Sequence, residues 1–200
     1  DVKVDLYIES THVCSEQGEL QLTNYGISGI PVFQLSRVAA RALSEQKKVY
    51  ATLNFVPLWE KEQCLTYFKE RFKKADEKRI GEALIGFFPE KLIPVLLEES
   101  HIKAAKYANR LQTEELERFI DTVQGLRVDI TDWNTFDTAQ VTAGGVDTDE
   151  IDAETMESKL CPGLYFAGEM VDIDGICGGY NLQWAWATGY LAGKAAADTQ

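Results

Sequence analysis

The chain has 200 residues, 45% of them hydrophobic and 10% aromatic, so it can bury a sizeable core and is neither disordered nor fibrous. Its 32 acidic and 20 basic residues give a net charge of −12, which repels nucleic-acid backbones and anionic membrane surfaces. We therefore expect no nucleic-acid partner and no membrane partner, and no apolar run reaches the length of a membrane span.

The first quarter of the chain has the pattern of strands around one helix. Residues 2–8 alternate between apolar and polar side chains, as a half-buried strand does. We predict a turn at residues 16–18, a second strand around Leu20 and Leu22, and a loop at residues 24–29. Pro31 suits the first turn of a helix, and residues 48–56 return to alternation.

The next segment has the period of short amphipathic helices. Apolar stripes predict helices around residues 65–72 and 80–87 and again after Pro89. Thr113 is placed to cap a further helix, and Gly125 is placed to end it. Because the chain then becomes extended again, we expect the helices to be an insertion within a strand-rich domain.

The four cysteines are far apart in the sequence and form no CxxC pair: Cys14, Cys64, Cys161 and Cys177. No histidine stands beside them at metal-ligand spacing, so we predict neither a metal site nor a local redox dithiol. A reducing cytoplasm is the simplest location for such a chain. Cys177 lies in a glycine-rich loop, where it serves either a redox role or as a small residue in a tight turn.

The stretch from residue 163 to residue 194 is typical of a strand, a glycine-rich loop and a helix. An apolar run at residues 164–167 ends at Gly168, and the helix opens at about Asn181. The loop contains three glycines, Gly175, Gly178 and Gly179. Such a helix start directs free backbone N–H groups at a ligand.

This last helix has small residues at every fourth position: Ala185, Gly189, Gly193 and Ala197. Glycine costs about 1 kcal/mol relative to alanine inside a helix. The stripe therefore indicates that the backbone lies close to a sheet or a bound molecule, although a buried structural helix is the alternative. We expect the opposite side, with Leu182, Trp186 and Tyr190, to serve ordinary packing.

The same stretch resembles the C-terminal flavin-binding motif of the HI0933-like (YhiN/BaiN) family of FAD-dependent oxidoreductases. The resemblance rests on the GLYFAGE strand, the Asp-rich turn and the GGYNLQWA helix start. Residues 18–36 (GELQLTNYGISGIPVFQLS) and 139–146 (AQVTAGGV) extend it, whereas residues 58–124 match only in helical character.

The N-terminal GxGxxG pattern that holds the ADP part of FAD is absent from the chain. We therefore expect the chain to be the C-terminal half of a larger flavoprotein, beginning partway through an insert domain, with the N-terminal half as its partner. Such a fragment should hold FAD poorly and be inactive alone.

The resemblance implies a multi-domain fold of the α+β or α/β class. Residues 1–57 would form part of a strand-rich, β-barrel-like insert, and residues 58–125 would form a small helical bundle. Residues 126–138 would be the return strand of the insert. Residues 139–200 would be the C-terminal portion of a Rossmann-like FAD-binding domain.

The resemblance also implies FAD as the cofactor, NAD(P)H as a candidate reductant and a small-molecule substrate. Glu169 stands where similar flavoproteins have a carboxylate that accepts hydrogen bonds from the ribityl hydroxyls. The predicted cofactor-binding residues are Thr142, Ala143, Gly144, Gly145, Gly168, Glu169, Asp174, Gly175, Gly178, Gly179, Tyr180, Asn181 and Leu182. No catalytic residue can be named, and Tyr25 is a candidate for the substrate side only.

Several alternatives stay open. Asp172 and Asp174 suit either a paired acid and base or ordinary turn chemistry. The loop at residues 142–145 lacks bulk either because a flat ring approaches it or because a strand simply ends there. For the whole chain, the alternatives are a non-catalytic interaction module whose helical block binds a partner, and a flavin-dependent tRNA-modifying protein. The acidic balance argues against the latter.

Overall fold

The computed structural model describes residues 1–135, 137, 139 and 141–198. It divides into two compact units, Asp1–Thr131 and Asp132–Gln200, which we call unit 1 and unit 2. Positions 136 and 138 of the predicted return strand lie outside the described residues, as do positions 140, 199 and 200 of the predicted FAD-binding segment. The four-part domain division stays a prediction.

The strands of unit 1 are β1 (Val2–Ile8), β2 (Thr11–Gly18), β3 (Leu20–Thr23), β4 (Gly26–Gly29), β5 (Val49–Asn54) and β6 (Leu126–Ile130). Four of them form an antiparallel sheet in the order β2-β1-β5-β6, and β3 pairs with β4. Val4, Leu6, Ala51 and Leu53 point to one face and are buried, as the alternation predicts. The sheet is open, so the barrel-like layer that the resemblance implies is not confirmed.

Two predictions about the first strands were wrong. The turn predicted at residues 16–18 is the end of β2, which pairs with β1 from Val2↔Gly18 to Ile8↔Thr11. The loop predicted at residues 24–29 is mostly β4, with Asn24 and Tyr25 at the turn. Both strands carry few large apolar residues, so the pattern of side chains does not reveal their backbone pairing. A Cβ on Gly29 would lie 2.4 Å from the Glu19 carbonyl oxygen.

The helices of unit 1 are α1 (Ile30–Ser44), α2 (Lys61–Lys73), α3 (Ile80–Leu84), α4 (Leu92–Glu99) and α5 (Thr113–Gly125). They confirm the predicted helical pattern, and Pro31 lies in the first turn of α1. The prediction that Thr113 caps α5 was wrong, because the cap is Gln112. Its backbone N–H donates to the Glu115 carboxylate at 2.8 Å. The charged side chain thus satisfies a free donor at the helix start.

Unit 1 has one continuous hydrophobic core that includes the sheet and the helices. The fully buried Phe68 and Phe119 rings meet edge to face, with centroids 5.5 Å apart. Val4 and Leu53 of the sheet belong to the same cluster. Such buried aromatic pairs add directional contacts to ordinary area burial.

Within its described residues, unit 2 has little regular structure besides α6 (Tyr180–Asp198) and the 3₁₀ turns at Thr148–Glu150 and Gly168–Met170. The strand predicted at residues 164–167 is extended but forms a single bridge, between Tyr165 and Glu157. No second strand flanks it within the described part of unit 2, so the strand prediction was too strong. A small core of Ile151, Met156, Val171 and Ala192 holds the unit together.

The two units give a mixed α/β architecture, as the sequence predicts. Among the described residues, none of the helices combines the length and the apolar character that a membrane span needs.

Candidate functional site

The start of α6 leaves open space beside backbone donors. The helix begins at Tyr180, and the N–H of Gln183 donates to the Gly179 carbonyl at 3.0 Å. The three preceding N–H groups, of residues 180–182, therefore have no acceptor within the helix. Gly179 has a φ of +91°, and a Cβ added there would meet nothing within 4 Å. The open space beside Gly179 and the N–H groups of residues 180–182 can therefore accept an anionic or hydrogen-bonding group.

The glycine-rich loop before α6 is closed by Asn181. Its Oδ1 accepts the Gly175 N–H at 2.7 Å, and its Nδ2 donates to the Gly175 carbonyl at 3.2 Å. A Cβ on Gly175 would lie 2.9 Å from the Cβ of Tyr180, so the loop requires glycine there. The Asn181 side chain thus shapes the loop, and its backbone N–H is the group it can offer a ligand.

Gly168 is attached to α6 through both of its backbone polar groups. Its N–H donates to Oγ1 of Thr188 at 2.9 Å, and its carbonyl accepts Nε1 of Trp184 at 3.1 Å. Its φ of +71° favours glycine, and a Cβ there would lie 3.5 Å from the Cβ of Ala185. Sequence reasoning missed Trp184 and Thr188, because only their i, i+4 spacing on α6 hints at a shared contact.

Glu169 links the predicted loop at residues 142–145 to the segment that begins at Gly168. Its Oε1 accepts the Thr142 N–H at 2.9 Å and the Thr142 hydroxyl at 3.2 Å. Next to this contact, Val146 N–H donates to the Met170 carbonyl at 2.8 Å, and Asp172 N–H donates to the Val146 carbonyl at 3.0 Å. The structure therefore brings residues 142–146 and 168–172 together, as the predicted site requires.

The two glycines of the 142–145 loop have different reasons to be glycine. A Cβ on Gly145 would lie 2.6 Å from the Met170 carbonyl oxygen, so Gly145 is needed for backbone contact. Gly144 has a φ of +103°, and a Cβ there would meet nothing within 4 Å. Gly145 is therefore explained by the packing of the protein backbone itself, whereas the open space at Gly144 leaves room for a flat ring to approach.

Leu182, Trp186 and Tyr190, which we expected to serve ordinary packing, do not pack within this chain, because their exposed fractions are 54%, 65% and 69%. Gly189 and Gly193 are also open, since a Cβ at either position would meet nothing within 4 Å. The close approach predicted for the small-residue stripe occurs only near Ala185 in the described residues. Most of the surface of α6 is therefore exposed.

The remaining candidates are Tyr25 in unit 1 and Cys177 and Asp174 in unit 2. Tyr25 is 65% exposed at the β3–β4 turn of unit 1, whereas all the predicted cofactor-binding residues belong to unit 2. Cys177 is exposed, and one carboxylate oxygen of Asp174 is buried. Across the part of the chain that the structure describes, no cluster of three or more His, Cys, Asp or Glu side chains could hold a metal.

A Ser, His and Asp group lies on β1 and β2 but lacks the geometry of a nucleophilic triad. Nε2 of His12 contacts both Oγ of Ser15, at 2.8 Å, and Oδ1 of Asp5, at 3.3 Å. Ser15 also donates directly to Asp5. Burial raises the pKa of Asp5, but hydrogen bonds from Ser15 and Lys3 outweigh it and leave the pKa below its ordinary value. The carboxylate is the centre of a cross-strand network, and the serine is not activated.

The negative charge is concentrated in unit 2. Residues 132–200 carry twelve of the 32 acidic residues and two of the 20 basic ones, which gives −10 of the net −12. Unit 1 is nearly neutral. The repulsion of nucleic-acid backbones and anionic membranes that the net charge predicts is therefore expected of unit 2 and hardly of unit 1.

Comparisons with known proteins find relatives over nearly the whole chain. The chain is 47% identical to a 3-dehydro-bile acid delta(4,6)-reductase of Clostridium scindens, over 99% of the chain and 48% of the relative. It is 32% identical to the ribosomal RNA dihydrouridine synthase of Escherichia coli, over 88% of the chain and 41% of that protein. For the Haemophilus influenzae enzyme of the same name the identity is 31%, over 94% and 45%.

The chain thus spans about half the length of the curated relatives it matches, or somewhat less. Residues 12–195 match the HI0933-like protein Rossmann domain, a range that includes the glycine loop, the 142–146 segment and nearly all of α6. The matched range covers most of unit 1 and of unit 2, and the chain therefore belongs to the HI0933-like family.

Proposed function

We propose that the chain is part of an FAD-dependent oxidoreductase and that unit 2 contributes to its flavin site. The observation that carries the proposal is the meeting of residues 142–146, residues 168–172 and helix α6, which begins directly after the glycine-rich loop. Side-chain and backbone contacts bring the first two together, and α6 holds Gly168. The open positions at Gly144 and Gly179 leave room for a ligand.

The residues present fit a flavin that gains negative charge on reduction. The N–H groups of residues 180–182 stand at the positive end of the α6 dipole, which stabilises a nearby anion by about 0.3–2 kcal/mol. For a two-electron couple, about 1.4 kcal/mol corresponds to about 30 mV, so the helix would tune the potential modestly. When bound, the flavin supplies the redox chemistry, and the protein supplies position and electrostatics.

Glu169 is the proposed acceptor for the ribityl hydroxyls. Both bonds from Thr142 reach its Oε1, and we propose that Oε2 faces the cofactor. The carboxylate would then be held from one side by the protein and bind the ligand from the other. Asp174 would act indirectly, by shaping the turn before Gly175.

For the reaction, we propose the reduction of a carbon–carbon double bond in a small organic substrate. The names of the bile-acid reductase and of the dihydrouridine synthases both describe the addition of two hydrogens across such a bond. The higher identity to the former favours a small molecule over RNA. NAD(P)H as reductant and a cytoplasmic location belong to the same proposal.

The partner that we propose is the remainder of the relatives' length. It would cover the exposed side of α6, where Leu182, Trp186 and Tyr190 are more than half exposed. Large exposed apolar side chains in a row are typical of a surface that packs against another protein segment. A non-catalytic interaction module that binds a partner through α6 as well as through its helical block would explain this surface equally, so the test must depend on the cofactor.

The test compares two glycines in the complete gene product. Gly179 and Gly163 both have positive φ, +91° and +82°, and a Cβ at either would meet nothing within 4 Å. Backbone strain is therefore similar in Gly179→Val and Gly163→Val, but only Gly179 belongs to the proposed site. We expect Gly179→Val to weaken FAD binding at least about tenfold, which is about 1.4 kcal/mol, and Gly163→Val to leave it within about threefold.

FAD binding is measured by titration with detection of flavin fluorescence, and thermal unfolding of the apoprotein shows that both variants fold. Equal affinity in Gly179→Val and the unsubstituted protein would contradict the flavin site. It would favour the interaction module, for which the identity of residue 179 is unimportant.

A further inference from the structure

Gly168, Trp184 and Thr188 form a closed ring of hydrogen bonds. Gly168 N–H donates to Oγ1 of Thr188 at 2.9 Å, and Oγ1 donates to the Trp184 carbonyl at 2.7 Å. Nε1 of Trp184 donates back to the Gly168 carbonyl at 3.1 Å. Thr188 is 1% exposed, so water cannot readily replace its hydroxyl.

The intrahelical hydrogen bond that is common for threonine does not account for the whole ring. Threonine hydroxyls in helices often bond the carbonyl four residues earlier, and Thr122 of α5 does so with Arg118 at 3.0 Å. Thr188 makes the same bond and in addition accepts the N–H of a residue 20 positions away. Its hydroxyl is therefore fixed in direction by the helix and used to hold Gly168.

Gly168 in turn fixes the residue that follows it. Gly168 is buried and begins the 3₁₀ turn that contains Glu169, whereas the Glu169 side chain is exposed and contacts Thr142. The position of the carboxylate therefore depends on how the turn is anchored to α6. Loss of one bond would leave a buried backbone group without its partner, which shifts the turn.

We propose that Trp184 and Thr188 are positioning residues that set the place of Glu169 for the cofactor, an inference that depends on the proposed flavin site. Neither residue needs to touch the flavin. Each contacts Gly168, and the proposal predicts that the effect of losing it passes through Glu169.

The test uses the complete gene product and the variant Thr188→Val, which keeps the shape of the side chain and removes the hydroxyl. We expect the dissociation constant for FAD to rise about tenfold or more. Thr188→Ser restores the hydroxyl and should return the constant to within about threefold of the original value. Thr122→Val, the matched control, loses only an intrahelical bond and should leave FAD affinity unchanged.

Two further variants separate positioning from general packing. Trp184→Phe keeps an aromatic ring, removes the Nε1 donor and should weaken FAD binding in the same direction. In a Glu169→Ala background, Thr188→Val should change FAD affinity less than about twofold, because the residue through which it acts is gone. A merely structural threonine would have the same effect in both backgrounds, and that result would overturn the proposal.

Hydrogen exchange of the Gly168 amide, measured without FAD, tests the hydrogen-bond ring directly. We expect faster exchange in Thr188→Val, because the acceptor of that amide is removed. If the unsubstituted protein binds FAD and Thr188→Val binds it equally well, the positioning role is wrong and the flavin site stands. If the unsubstituted protein binds no FAD, the proposed function fails and this inference fails with it.

Discussion

Unit 1 and unit 2 are each stabilised internally by a different kind of interaction. Unit 1 buries a continuous aromatic and aliphatic core in which Phe68 and Phe119 are fully enclosed. The described part of unit 2 has a core of four buried hydrophobic residues, and its loops take their shape from hydrogen bonds to glycine backbone. Hydrophobic burial tolerates many side chains of similar size, whereas a buried glycine N–H requires an acceptor atom at one defined place. Unit 2 is therefore the unit where single polar atoms determine shape.

The charges of the units differ in the same way. Unit 2 carries −10 of the net −12, although it contains only about a third of the residues. A compact, strongly negative segment repels itself, which weakens it unless a partner or a cofactor site offsets the cost. The helix start at Tyr180 offers N–H donors in the middle of this negative unit, as a site for an electron-rich ring requires.

The largest expected effect comes from breaking the core of unit 1. Phe119→Ala removes a ring that is 0% exposed and contacts the rings of Phe68, Phe72 and Phe88. We expect the free energy of unfolding to fall by about 3–5 kcal/mol. Urea unfolding followed by circular dichroism measures it. Phe33→Ala, at a side chain that is 41% exposed, should cost far less, and similar losses in both would contradict the burial account.

A smaller effect should separate the glycines of unit 2. Gly145→Ala places a Cβ against the Met170 carbonyl, whereas Gly144→Ala places one in open space, and both positions have positive φ. Both variants place a side chain at a positive φ. The difference between their stabilities therefore measures the clash of the Cβ added at Gly145 with the Met170 carbonyl oxygen. We expect Gly145→Ala to be about 1–3 kcal/mol less stable than Gly144→Ala in thermal unfolding. Equal stability would show that the contact between residues 145 and 170 is not required.

The smallest effect concerns an ion pair of unit 1. Lys106 Nζ lies 2.7 Å from Glu115 Oε1, with side chains 29% and 20% exposed. Hydrogen bonds from Lys106 and from the Gln112 N–H hold the pKa of Glu115 below its ordinary value. Lys106→Met should therefore cost about 1 kcal/mol near neutral pH.

The sign of the pH dependence follows from the lowered pKa. The stabilisation is complete above the pKa of Glu115 in the unfolded chain and is lost as pH falls through the folded pKa. The difference between Lys106→Met and the unsubstituted chain should thus shrink below about pH 4 in denaturant titrations. Lys74→Met, whose ammonium group lies 3.9 Å from exposed Glu70, should show little difference at any pH. A pH-independent loss would show that Lys106 acts through packing alone.

The strands and helices in which large apolar side chains recur at regular spacing were predictable from the sequence. β1, β5, α1, α2 and α5 follow from alternation or from a helical stripe. β2 was missed because it is a polar edge strand in which Cys14 is the residue that packs against the core. The cap of α5 was misplaced by one residue, because Gln112 and Thr113 are equally polar in the sequence.

The candidate site was predictable in its segments and not in its contacts. The glycine loop and the helix start could be read from residues 175–181, because glycine spacing is local information. The ring of Gly168, Trp184 and Thr188 could not, because it joins backbone atoms to side chains 16 and 20 residues away. The concentration of charge in unit 2 was readable from the sequence, but the net charge alone conceals it.

The flavin site is tested most directly by the visible absorption spectrum of the complete gene product, purified without added cofactor and desalted. We predict a flavin band that remains with the protein. A colourless protein that also fails to take up added FAD would contradict the central claim, and the exposed face of α6 would then be better explained as the surface of an interaction module.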